Sequence, residues 1–126
     1  MRRGEVFAPR GQVFTVEVPE TRAERARGLL GRDGLEPGTG MLFERASSVH
    51  TMRMRFPITV AYLSPAGADG RRTVRRVAVL RPGRMARPRW SVRSVLELPA
   101  GADVRAGDAI LCRLSSAGSG PRAPIV

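Results

Sequence analysis

The apolar residues of this chain come in short, β-like runs separated by turn-forming residues, a pattern that leaves few folds open. Met41-Leu42-Phe43, Ile58 to Leu63, Thr73 to Leu80, Val95 to Leu98 and Ala109 to Leu114 are the runs. Turn signals divide them at Pro65 to Gly70, Pro82-Gly83, Pro99-Ala100-Gly101 and Gly107-Asp108. Upstream, Gln12 to Val18 alternates and places Phe14, Val16 and Val18 on one face, as in a half-buried strand, and Pro19 ends it. Several short strands at this spacing predict a mainly β fold, a compact sandwich or barrel.

One helix interrupts the strands. Thr21 is followed three residues later by Glu24, a capping box in which each side chain can satisfy the other residue's amide. Ala23, Ala26, Leu29 and Leu30 then recur at helical spacing, with Arg22, Arg25 and Arg27 toward solvent, and Gly31 fits a C-terminal stop. A short N-terminal helix ending near Leu30 is predicted.

With 126 residues, 42% of them hydrophobic, one domain able to bury well over half of its unfolded surface is expected. Its expected extent is residues 13–114, preceded by an arm (1–12) and followed by a flexible tail (115–126). No apolar run approaches the roughly 20 residues that span a bilayer, and the basic start leads into no apolar export segment. A cytoplasmic protein with no membrane contact is expected. Cys112 is the only cysteine, so it makes no internal disulfide; its apolar neighbours suit a small thiol packed within a strand.

All 22 basic residues are arginine, against 11 acids, for a net charge of +11. The excess is local. Met1 to Gly70 carries ten arginines against eight acids, Arg71 to Arg93 nine against none, and Ser94 to Val126 three against three. A stretch of +9 attracts polyanions through counterion release; the competing reading is a solvated strand and loop. Within it Arg84, Arg87, Arg89 and Trp90 are the candidate polyanion contacts, Trp90 as a stacking platform or as a cover for a sheet edge.

Four segments in order resemble a known family: Thr21-x-x-Glu24-Arg25-x-Arg27-Gly28-Leu29-Leu30-Gly31-Arg32; Gly40-Met41-Leu42-Phe43; His50-Thr51-x-x-Met54-Arg55-Phe56-Pro57-Ile58; and Val95-Leu96-Glu97-Leu98-Pro99-Ala100-Gly101 with Gly107-Asp108. Together they look like domain-of-unknown-function family 192, over Val13 to Leu114. The resemblance implies a small, mainly β domain with one short helix and implies almost nothing about activity. Where the family commonly continues Phe-Pro-Ile with Asp, this chain has Thr59.

The chemistry on offer is sparse. One His, one Cys and scattered carboxylates at no ligand spacing argue against a metal site, and no cofactor is expected. No nucleophile elbow or acid/base pair nominates a catalytic residue. His50, the only histidine, is a polar group for a cleft or a strand-end hydrogen bond. Arg32 and Arg55 are forks for a carboxylate or phosphate, or members of internal salt bridges to Glu97 or Asp108. The favoured expectation is a non-catalytic binding module. Its cleft, built from His50, Arg32, Arg55, Met54 and Phe56 and made more positive by Thr59, would take a small anionic ligand or a protein segment. Nucleic-acid or polyanion binding through Arg71 to Arg93 is the alternative, and an enzyme of unknown reaction ranks last.

Overall fold

A computed structural model describes residues 1–86 and 92–115. Among these described residues nine strands and one helix follow in the order β1 (Arg2–Phe7), β2 (Val13–Val18), α1 (Arg22–Arg27), β3 (Thr39–Glu44), β4 (Val49–His50), β5 (Ile58–Leu63), β6 (Arg71–Leu80), β7 (Met85–Ala86), β8 (Ser94–Pro99) and β9 (Ala109–Leu114). Seven strands close a barrel in the order β1-β2-β3-β8-β5-β6-β9, and β4 pairs with β7 in a separate two-stranded ribbon. The chain is therefore a mainly β domain, with a barrel as its form.

All barrel pairings are antiparallel except β2 with β3. A parallel pair needs a long crossover connection, and residues 19–38, with α1 inside them, supply it. The Thr21 cap is present as expected: the Glu24 amide donates to Thr21 Oγ1 at 3.1 Å, and Glu24 Oε1 accepts from the Thr21 amide at 3.2 Å. The helix stops at Arg27, three residues short of the expected end. Gly28 turns to φ +47° and returns its amide to the Glu24 carbonyl, and a Cβ there would sit 3.2 Å from the Phe43 ring. Close approach of helix to sheet, as much as the turn, requires glycine at this position.

Residues 1–12, expected to form an arm, contain β1, which pairs with β2 on one side and β9 on the other and so closes the barrel. Only Val6 and Phe7 are large apolar residues in Arg2–Phe7, so local pattern gives little sign of the strand; pairing on both flanks determines it.

Inside the barrel, Val6, Val16, Val18, Leu42, Ala61, Leu63, Leu96, Leu98 and Ile110 make an apolar core at 0–1% exposure. Both ends are sealed by matched polar groups. At one, Arg72 donates to both Glu44 carboxylate oxygens at 2.6 and 3.2 Å and to Ser94 Oγ at 3.0 Å. At the other, residues 101–108 cross the opening and drop Val104 into the core. Arg10 holds them, donating to the two Asp108 oxygens at 3.0 and 2.7 Å and to Asp103 at 3.2 Å. These contacts keep the Asp103 and Asp108 carboxyls below the usual carboxylate range.

A second core lies outside the barrel, on the outer face of β3, β8 and β5. Met41, Val95, Ile58, Val60 and Tyr62 point there, under Leu29, Val49, Met54 and Phe56. β5 is buried on both faces along its whole length, and β8 for all but its last residue.

Candidate functional site

Alternation along β8 sends Leu96 and Leu98 into the barrel and Val95 and Glu97 to the outer face, where β3 and β5 place Met41 and Val60 beside Glu97. On an exposed sheet this carboxylate would be solvated. Here α1 and the excursion between β3 and β5 cover that face, and Glu97 is only 6% exposed. Burial alone pushes its carboxyl up to about 8. No described residue donates to it or pairs with it. Its carboxyl oxygens are not fully enclosed but face a cavity, so the content of that cavity sets their hydrogen bonding.

Glu97 opens on a cavity of about 170 Å³. Leu29, Phe43, Val49, Met54 and Val95 give the cavity an apolar lining, and Arg25, Arg27, Ser48 and His50 add polar groups. Arg25 is steered by two contacts: Nη1 donates to the Glu44 carbonyl at 2.9 Å, and its guanidinium lies 5.9 Å from the Phe43 ring centroid. Arg27 and His50 are exposed.

The wall carrying His50 is held by one threonine. Thr51 is fully buried; its hydroxyl donates to the Arg81 carbonyl at 2.6 Å and accepts from the Arg84 amide at 2.8 Å, while its own amide donates to the Arg84 carbonyl at 2.7 Å. This clasp fixes β4 against the turn before β7, with His50 opposite Met85. The sequence motif thus places His50 on the cavity through Thr51, a role that the motif alone did not reveal.

The residues expected to form one cleft divide. His50 and Met54 line the cavity, and Phe56 is buried in the core beneath it. Arg32 instead pairs with Glu17 at 2.8 Å and borders a different cavity of about 410 Å³, lined by β2, the start of β3 and residues 34–36. Arg55 is exposed and pairs with Asp33 at 2.8 Å. Neither guanidinium reaches Glu97 or Asp108, because acids nearer in space hold both. Thr59 lies on the opposite face of β5, where its hydroxyl accepts from the Gly101 amide at 2.9 Å, so it sets no charge in the cavity. Of the polyanion candidates, Arg84 is exposed, and Arg87, Arg89 and Trp90 lie outside the described residues.

Cys112 is half-buried against the barrel core, and burial raises its thiol further. Among the described residues no three His, Cys, Asp or Glu side chains gather as metal ligands would. Among the described residues no helix is long and apolar enough to cross a membrane.

Comparison with known proteins agrees with this architecture. A solved structure described as a putative transcription regulator from Sinorhizobium meliloti 1021 matches with a TM-score of 0.63 at 23% identity, over 88% of this chain and 92% of that one. A protein of unknown function from Novosphingobium aromaticivorans DSM 12444 matches with a TM-score of 0.66, also at 23% identity, over 86% and 82%. Identity this low carries the fold alone. No curated protein matches the chain. The sequence profile of domain-of-unknown-function family 192, described as an uncharacterized ACR, matches residues 5–110, from within β1 to the start of β9. The chain belongs to that family.

Proposed function

We propose that the protein is a non-catalytic binding module that holds a small anionic ligand in the cavity beside Glu97. One observation carries this reading: a carboxyl 6% exposed, without a partner among the described residues, faces a cavity. The carboxyl therefore offers an open hydrogen-bonding group to whatever occupies the cavity.

Size and charge narrow the ligand. An apolar cavity of about 150 Å³ holds benzene, so 170 Å³ suits a body of similar bulk. Arg25, Arg27 and His50 are the other charged or titratable groups on the cavity, and all favour an anion over a cation. With its carboxyl raised to about 8, Glu97 is mostly protonated at neutral pH and can donate a short, charge-assisted hydrogen bond to a ligand carboxylate.

Calorimetry with small aliphatic and aromatic carboxylates, beside amines and alcohols of the same shape, tests this. Carboxylates should bind, and their binding should weaken as pH rises through about 8 and Glu97 loses its proton. Glu97→Leu should abolish binding while leaving the protein folded. Binding by none of the panel, preference for the amines, or unchanged binding in Glu97→Leu would remove the proposal.

A further inference from the structure

The arginine-rich stretch takes no part in the cavity, and its structure suggests a second use. β6 runs from Arg71 to Leu80, but β9 pairs only with Arg71 to Thr73. Beyond the contacts of Val74 with Gly107 and Asp108, residues 76–80 pair with β5 on one side and with no described strand on the other. An edge without a partner among the described residues presents main-chain donors and acceptors to a further strand.

The side chains along this edge are specific. Register with β5 puts Val77 and Val79 on one face and Arg76, Ala78 and Leu80 on the other, and a bulge at Arg75 separates them from Val74. Val79 is 61% exposed. Arg75, Arg76 and Arg81 are exposed, and none has a side-chain hydrogen bond or ion pair. No acid occurs from Arg71 to Arg93.

We infer that the outer edge of β6 docks an extended acidic segment of a partner protein by strand addition, with apolar residues alternating with Glu or Asp. The alternation follows from the pleat: successive side chains of an added strand fall on opposite faces, one beside Val77 and Val79 and the next beside Arg76, Ala78 and Leu80, with exposed Arg75 and Arg81 at the two ends of the edge adding the charge that favours acids. A second copy of this chain would set arginine against arginine. A nucleic acid would use the charge but not the exposed valine or the backbone edge.

The test uses a capped eight-residue peptide alternating Val and Glu, the same peptide N-methylated at every second amide, and a single-stranded oligonucleotide. The plain peptide should bind and slow amide exchange at residues 75–80 by about tenfold or more. N-methylation on the bonding side should remove both effects. Arg75→Glu, Arg76→Glu and Arg81→Glu together should weaken binding by about tenfold or more, with the fold intact by circular dichroism. No peptide binding, or equal binding of the N-methylated peptide, overturns the inference. So does oligonucleotide binding that leaves those amides unprotected, which would assign the stretch to polyanions. Concentration-dependent dimerisation that protects the same amides would assign the edge to a second copy.

Discussion

The two cores share strands β3, β8 and β5 but treat polar groups in opposite ways. At the ends of the barrel charged groups meet counterparts: half-buried Arg72 the Glu44 carboxylate, though its Nε stays buried without a partner, and exposed Arg10 the Asp103 and Asp108 carboxylates. On the outer face, one residue from Leu96 and one from Leu98, Glu97 is 6% exposed, has no partner among the described residues and faces a cavity. A protein that seals its barrel ends with matched pairs and leaves one acid open beside a cavity is organised for stability in one place and for recognition in the other. Function generally costs stability locally, and substitutions in the two regions should separate the two costs.

Leu98→Ala, in the fully buried barrel core, should produce the largest effect, a loss of about 2–5 kcal/mol in denaturant unfolding. A loss below 1 kcal/mol would mean that the barrel interior is not the main source of stability. Arg72→Ala strips Glu44 of its paired donor and should destabilise by about 1.5–3 kcal/mol.

Glu97→Gln should act in the other direction, and more strongly as pH rises. In the unfolded chain this carboxyl ionises near 4.5; in the folded protein it holds its proton to about 8. Between those values the unfolded chain has released a proton that the folded one keeps, so the wild type loses stability with rising pH, at up to roughly 1.4 kcal/mol per unit. Below 4.5 and above about 8 the difference is level. The amide does not ionise, so Glu97→Gln should match the wild type at low pH and surpass it by pH 8. Equal pH profiles for the two proteins would place Glu97 in a solvated or paired setting. Smallest is Thr21→Ala, which removes the cap of α1 and should cost about 1 kcal/mol.

Much of the barrel was legible in the chain because its signals are local. Alternation in Val13–Val18, the Thr21 and Glu24 box, and the turns that bound β5, β6, β8 and β9 each act within a few residues. β1 was not legible, since a strand with Arg2, Arg3, Gly4 and Glu5 is defined by the two neighbours it bonds. The ribbon of β4 and β7 is two residues long on each side and rests on the Thr51 clasp, whose contacts span 30 and 33 positions.

The site shows the same division. His50 and Met54 were legible from their motif. Arg32 and Arg55 looked in need of a ligand because spacing along the chain does not show that Glu17 and Asp33 stand beside them. Glu97 entered only as a possible salt-bridge partner of Arg32 or Arg55, and it pairs with neither. A signal was nonetheless present: Val95, Leu96 and Leu98 are apolar on both faces of β8, and a strand covered on both faces buries any acid within it.

Whether Glu97 is an open buried acid is decided most directly by its own titration. Carbon-13 NMR of the labelled side-chain carboxyl, followed from pH 3 to pH 10 in the ligand-free protein, should give a midpoint near 8. It should move higher still when a carboxylate occupies the cavity. A midpoint at the ordinary 4.5, unmoved by any ligand, would contradict both the burial of this group and the site built around it.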